Sequence, residues 1–210
     1  RGLHPPGAGR HATARGLLHP LEGQFQAQEQ AARLITLLAG VSLALVFGVL
    51  YSRYQSVVLA GIVMGNIPLA LVGGVAALAI AGQPLSVAAL VGFITLAGIA
   101  TRNGILKISH YVNLCAFEGE RFGDAMIVRG SLERLTPVLM TALVAAFALV
   151  PLLLAADAPG KEVLHPVAVV IFGGLVSSTL LDTLITPVMY RRFGERATQR
   201  LVDQRSATSF

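Results

Sequence analysis

The chain has 210 residues, 54% of them hydrophobic and only 13% charged, with no tryptophan and a mean hydropathy of +0.70. So little charge does not cover the surface of a water-soluble domain of this size, which excludes a soluble enzyme or nucleic-acid-binding module and leaves a polytopic membrane protein. The net charge of +5 then reads as orientation in a bilayer, and the single cysteine, Cys115, excludes an internal disulfide.

Residues 1–20 are rich in Gly, Pro, Arg and His and lack apolar periodicity, so they read as disordered or foreign sequence with no core-forming capacity. They do not resemble a signal peptide, since no continuous apolar region follows their basic residues at the required distance. Five segments then reach the length of a spanning helix, about 20 mostly apolar residues. They are 34–51, 57–81, 85–106, 135–156 and 163–190. The first two are uncharged, the third carries Arg102, the fourth ends at Asp157, and the fifth carries Asp182 and stops at Arg191-Arg192. Short connections make the first three antiparallel neighbours. Between the third and fourth spans, Phe117, Phe122, Met126 and Ile127 alternate with charges across residues 113–134. That loosely helical spacing suggests either a cytoplasmic amphipathic helix lying on the membrane or a helix packed beneath the bundle. Residues 195–210 form a cytoplasmic tail. The expected fold is an all-α membrane protein of five transmembrane helices.

Basic residues divide unevenly between the two sides. One side receives Arg53, Lys107, Arg121, Arg129, Arg134, Arg191, Arg192, Arg196, Arg200 and Arg205; the other receives Arg1, Arg10, Arg15, Arg33 and Lys161. Ten against five puts the C-terminus in the cytoplasm by the positive-inside rule, with Arg102 left in the membrane.

Arg102 costs roughly 2.5 kcal/mol or more in hydrocarbon, so it needs a partner or a wet cavity. Thr95, Gly98 and Ser109 share its helix face, and Asn103 adjoins it. Arg134 and Thr141 lie two turns apart on the fourth span. An arginine does not release its proton at accessible pH, so Arg102 is read as a fixed counter-charge in an ion or proton relay. The competing reading is a side chain that snorkels to a cytoplasmic interface marked by Lys107. Asp182 is a weaker relay candidate, two turns from Arg191 and within reach of interfacial water. His165, followed by Pro166, reads as a capping or interfacial residue. Gly61 and Gly65, Gly73-Gly74, Gly92, Gly98 and Gly173-Gly174 mark close helix packing. Pro68, Pro137, Pro151 and Pro187 kink a span or sit in its end turns. Met64, Met126, Met140 and Met189 lack the paired spacing of a soft-metal site. Without a GxxxxGK[ST] loop or a nucleophile constellation, no enzyme, cofactor or metal site is expected within the chain.

The runs LEGQFQAQEQAARL, NIPLALVGG, QPLSVAALVGFITLAGIATRNGILKISHY, GSLERLTPVLMTAL and DAPGKEVLHPVAVVIFGGLVSSTLLDTLITPV closely resemble the resistance-nodulation-division efflux permeases, above all their heavy-metal, cobalt-zinc-cadmium branch. The resemblance covers about residues 21–194 and the last five spans, the eighth to twelfth; residues 1–20 do not match. It implies the C-terminal membrane portion of a proton-driven exporter of metal cations in the bacterial inner membrane. It further implies a homotrimer working with a periplasmic adaptor and an outer-membrane channel. Export of drugs is the alternative within the family, and a non-transporting truncated fragment or accessory module the alternative outside it. GIATRNGIL places Arg102 and Asn103 where drug-exporting relatives carry a relay lysine in the pattern GxxxKNxIL, and Arg134 and Thr141 match the arginine and threonine of their eleventh span. The family's proton-carrying aspartates and most of its metal-binding side chains belong to regions that this sequence does not match.

Overall fold

The structure, a computed structural model, describes the backbone of residues 8–154 and 163–208 and the side chains of residues 26–154 and 163–203. In chain order its helices are α1 (Ala8–Tyr54), α2 (Val57–Ile80), α3 (Val87–Phe117), α4 (Asp124–Leu154), α5 (Leu164–Phe193) and α6 (Glu195–Thr208), and the described residues contain no strand. α2 to α5 and the stretch Gln26–Tyr54 of α1 are long and apolar enough to cross a membrane. Helix is what hydrocarbon demands, because it satisfies every backbone polar group within the segment.

Local chemistry sets the helix ends. Ser56 and Ser86, both with extended backbone, cap α2 and α3 by accepting hydrogen bonds from the amides of Leu59 and Ala89. The chain leaves α2 through Gly82 at φ 63° and leaves α3 through Gly119 at φ 69°, left-handed positions that glycine adopts without strain. Pro68, Pro137 and Pro187 lie inside continuous helices, and Pro151 lies in the last turn of α4.

Three boundaries differ from the sequence reading. α1 extends back to Ala8, into the stretch expected to lack structure, while residues 1–7 lie outside the described residues. Residues 113–134 make no helix of their own: they divide into the end of α3, a connection and the start of α4. Met126 and Ile127 are buried, and Phe122 packs on Tyr190 with ring centroids 5.5 Å apart, so these three pack against the bundle, while Phe117 is exposed. α6 occupies the segment expected to be a tail.

α5 runs through the centre, touching α2, α3 and α4. Glycine makes the closest of these approaches. A Cβ at Gly173 would sit 2.1 Å from Ala77 Cβ, one at Gly73 would sit 2.0 Å from Ser177 Cβ, and one at Gly174 would sit 2.0 Å from Leu96 Cδ2. Gly61 and Gly98, read from the sequence as packing residues, have no neighbour within 4 Å of such an atom and face outward. Two apolar clusters result: one around Tyr54, Leu59, Tyr111, Met126 and Tyr190, the other around Ala70, Leu78, Leu96 and Val170.

Candidate functional site

Between the two apolar clusters lies a layer of buried polar side chains: Asn66 on α2, Thr101, Asn103 and Lys107 on α3, and Ser178, Thr179, Asp182 and Thr186 on α5. At its centre Lys107 Nζ donates to Asp182 Oδ2 at 2.6 Å and to the Asp182 carbonyl at 3.0 Å. Both side chains are about 95% shielded, with 4% and 5% of their surface accessible. The sequence reading put Lys107 at the cytoplasmic interface, and the structure corrects it. α3 continues ten residues past Lys107 to Phe117, about 15 Å at 1.5 Å per residue, so this ammonium is inside the bundle. Nor does Asp182 turn toward interfacial water, since Lys107 and Thr186 hold both carboxylate oxygens.

The far oxygen begins a hydrogen-bonded chain. Thr186 Oγ1 is 2.5 Å from Asp182 Oδ1 and 2.9 Å from Asn66 Oδ1. A hydroxyl carries one proton and cannot donate to both acceptors at once. With Asp182 ionised, Thr186 donates to the carboxylate, and the amide N–H of Asn66 is the complementary group to face it. With Asp182 protonated, the acid donates to Thr186 and Thr186 donates to Asn66 Oδ1. Asn66 Nδ2 is meanwhile buried without a partner, close to where a Cβ on Gly104 would stand, 2.8 Å away. The direction of the chain is thus tied to the charge on Asp182, and it links α5 to α2.

Arg102 is on another face of α3. It is exposed, fifteen residues from either end of the helix, and it lines a groove of about 710 Å³ between α1, α2 and α3. Leu45, Val49, Leu71, Phe93 and Ile94 make that groove overwhelmingly apolar. No hydrogen bond or ion pair among the described residues engages the Arg102 guanidinium, and the nearby interface on which snorkelling depended is gone with Lys107. Asn103 is buried in the polar layer. Arg134 is half-buried with its Nε unpartnered, and Thr141 is exposed with its hydroxyl donating to the Val138 carbonyl. The structure therefore does not gather the candidates into one cluster. Asp182 joins Lys107, Thr186 and Asn66, three residues the sequence reading did not select. Asn66 was detectable as the amide inside an otherwise apolar span, and Thr186 as the hydroxyl one turn from Asp182.

The two ends of the bundle are tied by polar contacts of another kind. At one end, buried His165 donates from Nδ1 to the Leu152 carbonyl at 3.1 Å, joining α5 to the last turn of α4 as a capping residue would. At the other, Arg129 reaches Glu118, Glu120 and Glu133 at 2.7–2.9 Å, and Arg191 pairs with Asp124 at 2.8 Å. Such exposed pairs contribute little individually, but together they fasten the α3–α4 connection beneath the bundle. Among the described residues no group of three or more His, Cys, Asp or Glu side chains is placed to hold a metal ion.

Five spanning helices with an ion pair and a separate arginine in their membrane layer define a polytopic membrane protein that keeps charge where hydrocarbon penalises it. The model of the AcrB/AcrD/AcrF family matches residues 13–194, and the chain belongs to that family. It is 41% identical over 169 residues to the cobalt-zinc-cadmium resistance protein CzcA of Cupriavidus metallidurans, covering 80% of this chain and 16% of that protein. The nickel and cobalt resistance protein CnrA of the same species is 38% identical over 167 residues, covering 80% of this chain and 15% of CnrA. The multidrug resistance protein MdtC of Proteus mirabilis is 33% identical over 181 residues, 86% of this chain and 17% of MdtC. A crystal structure of a heavy metal efflux pump superposes with a TM-score of 0.72 at 36% identity, over 81% of this chain and 17% of that one. The chain thus spans about one sixth of the length of these relatives.

Proposed function

We propose that this chain is the C-terminal membrane portion of a proton-driven exporter of divalent metal cations, with its C-terminus in the cytoplasm, working as a trimer with a periplasmic adaptor and an outer-membrane channel. Metal cations are preferred to drugs because the metal-resistance relatives are the more similar, 38–41% identical against 33% for MdtC. With Lys107 moved into the bundle, nine basic residues against five still favour a cytoplasmic C-terminus.

The observation that carries the proposal is Arg102, a permanent charge facing an apolar groove with no carboxylate from the described residues against it. In the proposed mechanism a carboxylate from outside this sequence enters the groove. Ionised, it is held by Arg102; protonated, it is released, and the helices repack. Arg102 carries no proton itself, because guanidinium does not titrate at accessible pH. Asn103 belongs to the polar layer around Asp182, Arg134 is open to a further partner through its unpartnered Nε, and Thr141 keeps its hydroxyl on the Val138 carbonyl. Asp182 provides a second carboxylate, with Lys107 as its counter-charge and the Thr186 hydroxyl on its other oxygen.

In the assembled pump, Arg102→Met should leave a membrane-inserted trimer but reduce export. Removing one member of a desolvated charge pair costs about 2–5 kcal/mol, which corresponds to a rate lower by about thirtyfold or more. Intracellular zinc accumulation in a metal-challenged strain reads this directly. Accumulation equal to wild type in the variant would reduce Arg102 to a residue without a relay role.

A further inference from the structure

At the arginine-rich end of the bundle the chain forms a second cavity, of about 810 Å³, between the α1–α2 connection and the α5–α6 junction. Arg196 and Arg200, one helical turn apart on α6, line one wall as a stripe that Arg192, near the end of α5, extends. Arg191, next to the first of them, points elsewhere and is neutralised by Asp124. None of the ion pairs among the described residues involves the three lining arginines. Glu195 is the single acid in the lining, which leaves a net charge of +2.

The opposite wall adds donors and apolar surface. α2 begins there, and the amides of Val57 and Val58, in its first turn, have no acceptor within their own helix. The same valines are exposed, as are Tyr51 and Phe193 at the rim. α1 and α5 both end here as spanning helices, so the cavity sits at the boundary between hydrocarbon and water. Cationic groups toward water and exposed apolar side chains toward the bilayer match one ligand chemistry, a phosphodiester carrying acyl chains.

We propose that this cavity is a binding site for the headgroup of an anionic phospholipid. The phosphate lies between the arginine stripe and the first turn of α2, and the acyl chains run along Val57, Val58 and Phe193. Basic pockets between spanning helices hold acidic headgroups because each arginine near the surface attracts the anion while the apolar part of the lipid stays in the bilayer. A lipid seated there bridges α1, α2 and α6, elements that otherwise meet through few contacts.

The test is native mass spectrometry of the full chain in detergent, titrated with phosphatidylglycerol, phosphatidylethanolamine or inorganic phosphate. Wild type should retain phosphatidylglycerol at least about tenfold more tightly than phosphatidylethanolamine, and each arginine removed should weaken that preference about fivefold. The triple variant R192Q/R196Q/R200Q should lose it entirely, while R191Q, outside the stripe, should keep it. If the triple variant does not fold, R196Q alone carries the test, with R196K restoring most of the preference. Equal retention of the two lipids by wild type, or an undiminished preference in the variants that fold, would overturn the proposal. So would inorganic phosphate displacing phosphatidylglycerol at millimolar concentration, because the site would then recognise a free anion and not a lipid.

Discussion

Arg102 and Lys107 are five residues apart on α3, which at about 100° per residue turns them roughly 140° away from each other. One faces the groove beside α1; the other reaches α5 and finds Asp182. That separation gives the two cations different physics. The Lys107–Asp182 pair has lost its water and has recovered the cost through a 2.6 Å contact and the Thr186 hydroxyl. A pair in this state tolerates joint replacement far better than the loss of one member. Lys107→Met alone or Asp182→Leu alone should therefore destabilise the purified protein by about 3–5 kcal/mol. The double variant should return to within about 1 kcal/mol of wild type in the same thermal unfolding series, since no lone charge is then left buried. Additive losses would show that the two side chains act independently and that their contact contributes nothing. The sequence disclosed Arg102 because a charge inside an apolar run is conspicuous. It concealed Lys107, because a lysine after an apolar run looks like the end of a span whether or not the helix stops there.

At the scale of elements, the bundle is organised by how closely α2 and α5 approach. The glycines of α2 and α5 were readable from sequence as a packing signal, but which of them face a neighbour was not, since that depends on the rotation of each helix about its own axis. Gly173 stands against Ala77 and the Gly73 carbonyl, whereas Gly61 faces outward. Gly173→Ala forces a methyl group into backbone and Cβ atoms with no rotamer to yield, and should cost about 1–3 kcal/mol. Gly61→Ala should cost nothing and should gain up to about 1 kcal/mol from alanine's higher helix propensity. Thermal melts of the two variants in one detergent make the comparison, and equal shifts would contradict this arrangement of α2 and α5. The connection between α3 and α4 follows the same logic. Its apolar residues suggested a surface helix or a helix packed beneath the bundle with equal weight, and the burial of Met126 and Ile127 and the contact of Phe122 with Tyr190 favour the second for those residues.

For the whole molecule, hydropathy carried most of the architecture: five spans follow from the requirement that a bilayer-crossing segment satisfy its own backbone, although α3 runs eleven residues beyond the third expected span and α4 starts eleven residues before the fourth. The polar layer was less legible, because it assembles from single residues on three helices, each unremarkable in its own run. That layer and the Arg102 groove each keep charge between spanning helices, and in the proposed exporter they divide the work. One is closed and internally balanced. The other is an open groove, the proposed place for a carboxylate from outside this sequence. Proteoliposomes containing the assembled pump, with zinc ions and an imposed pH difference, test this division most directly. Wild type should move zinc with an opposing proton flux, Arg102→Lys should retain that coupling in part, and Arg102→Met should lose both fluxes together. Zinc movement at the wild-type rate in Arg102→Met, driven by the same pH difference, would contradict the account.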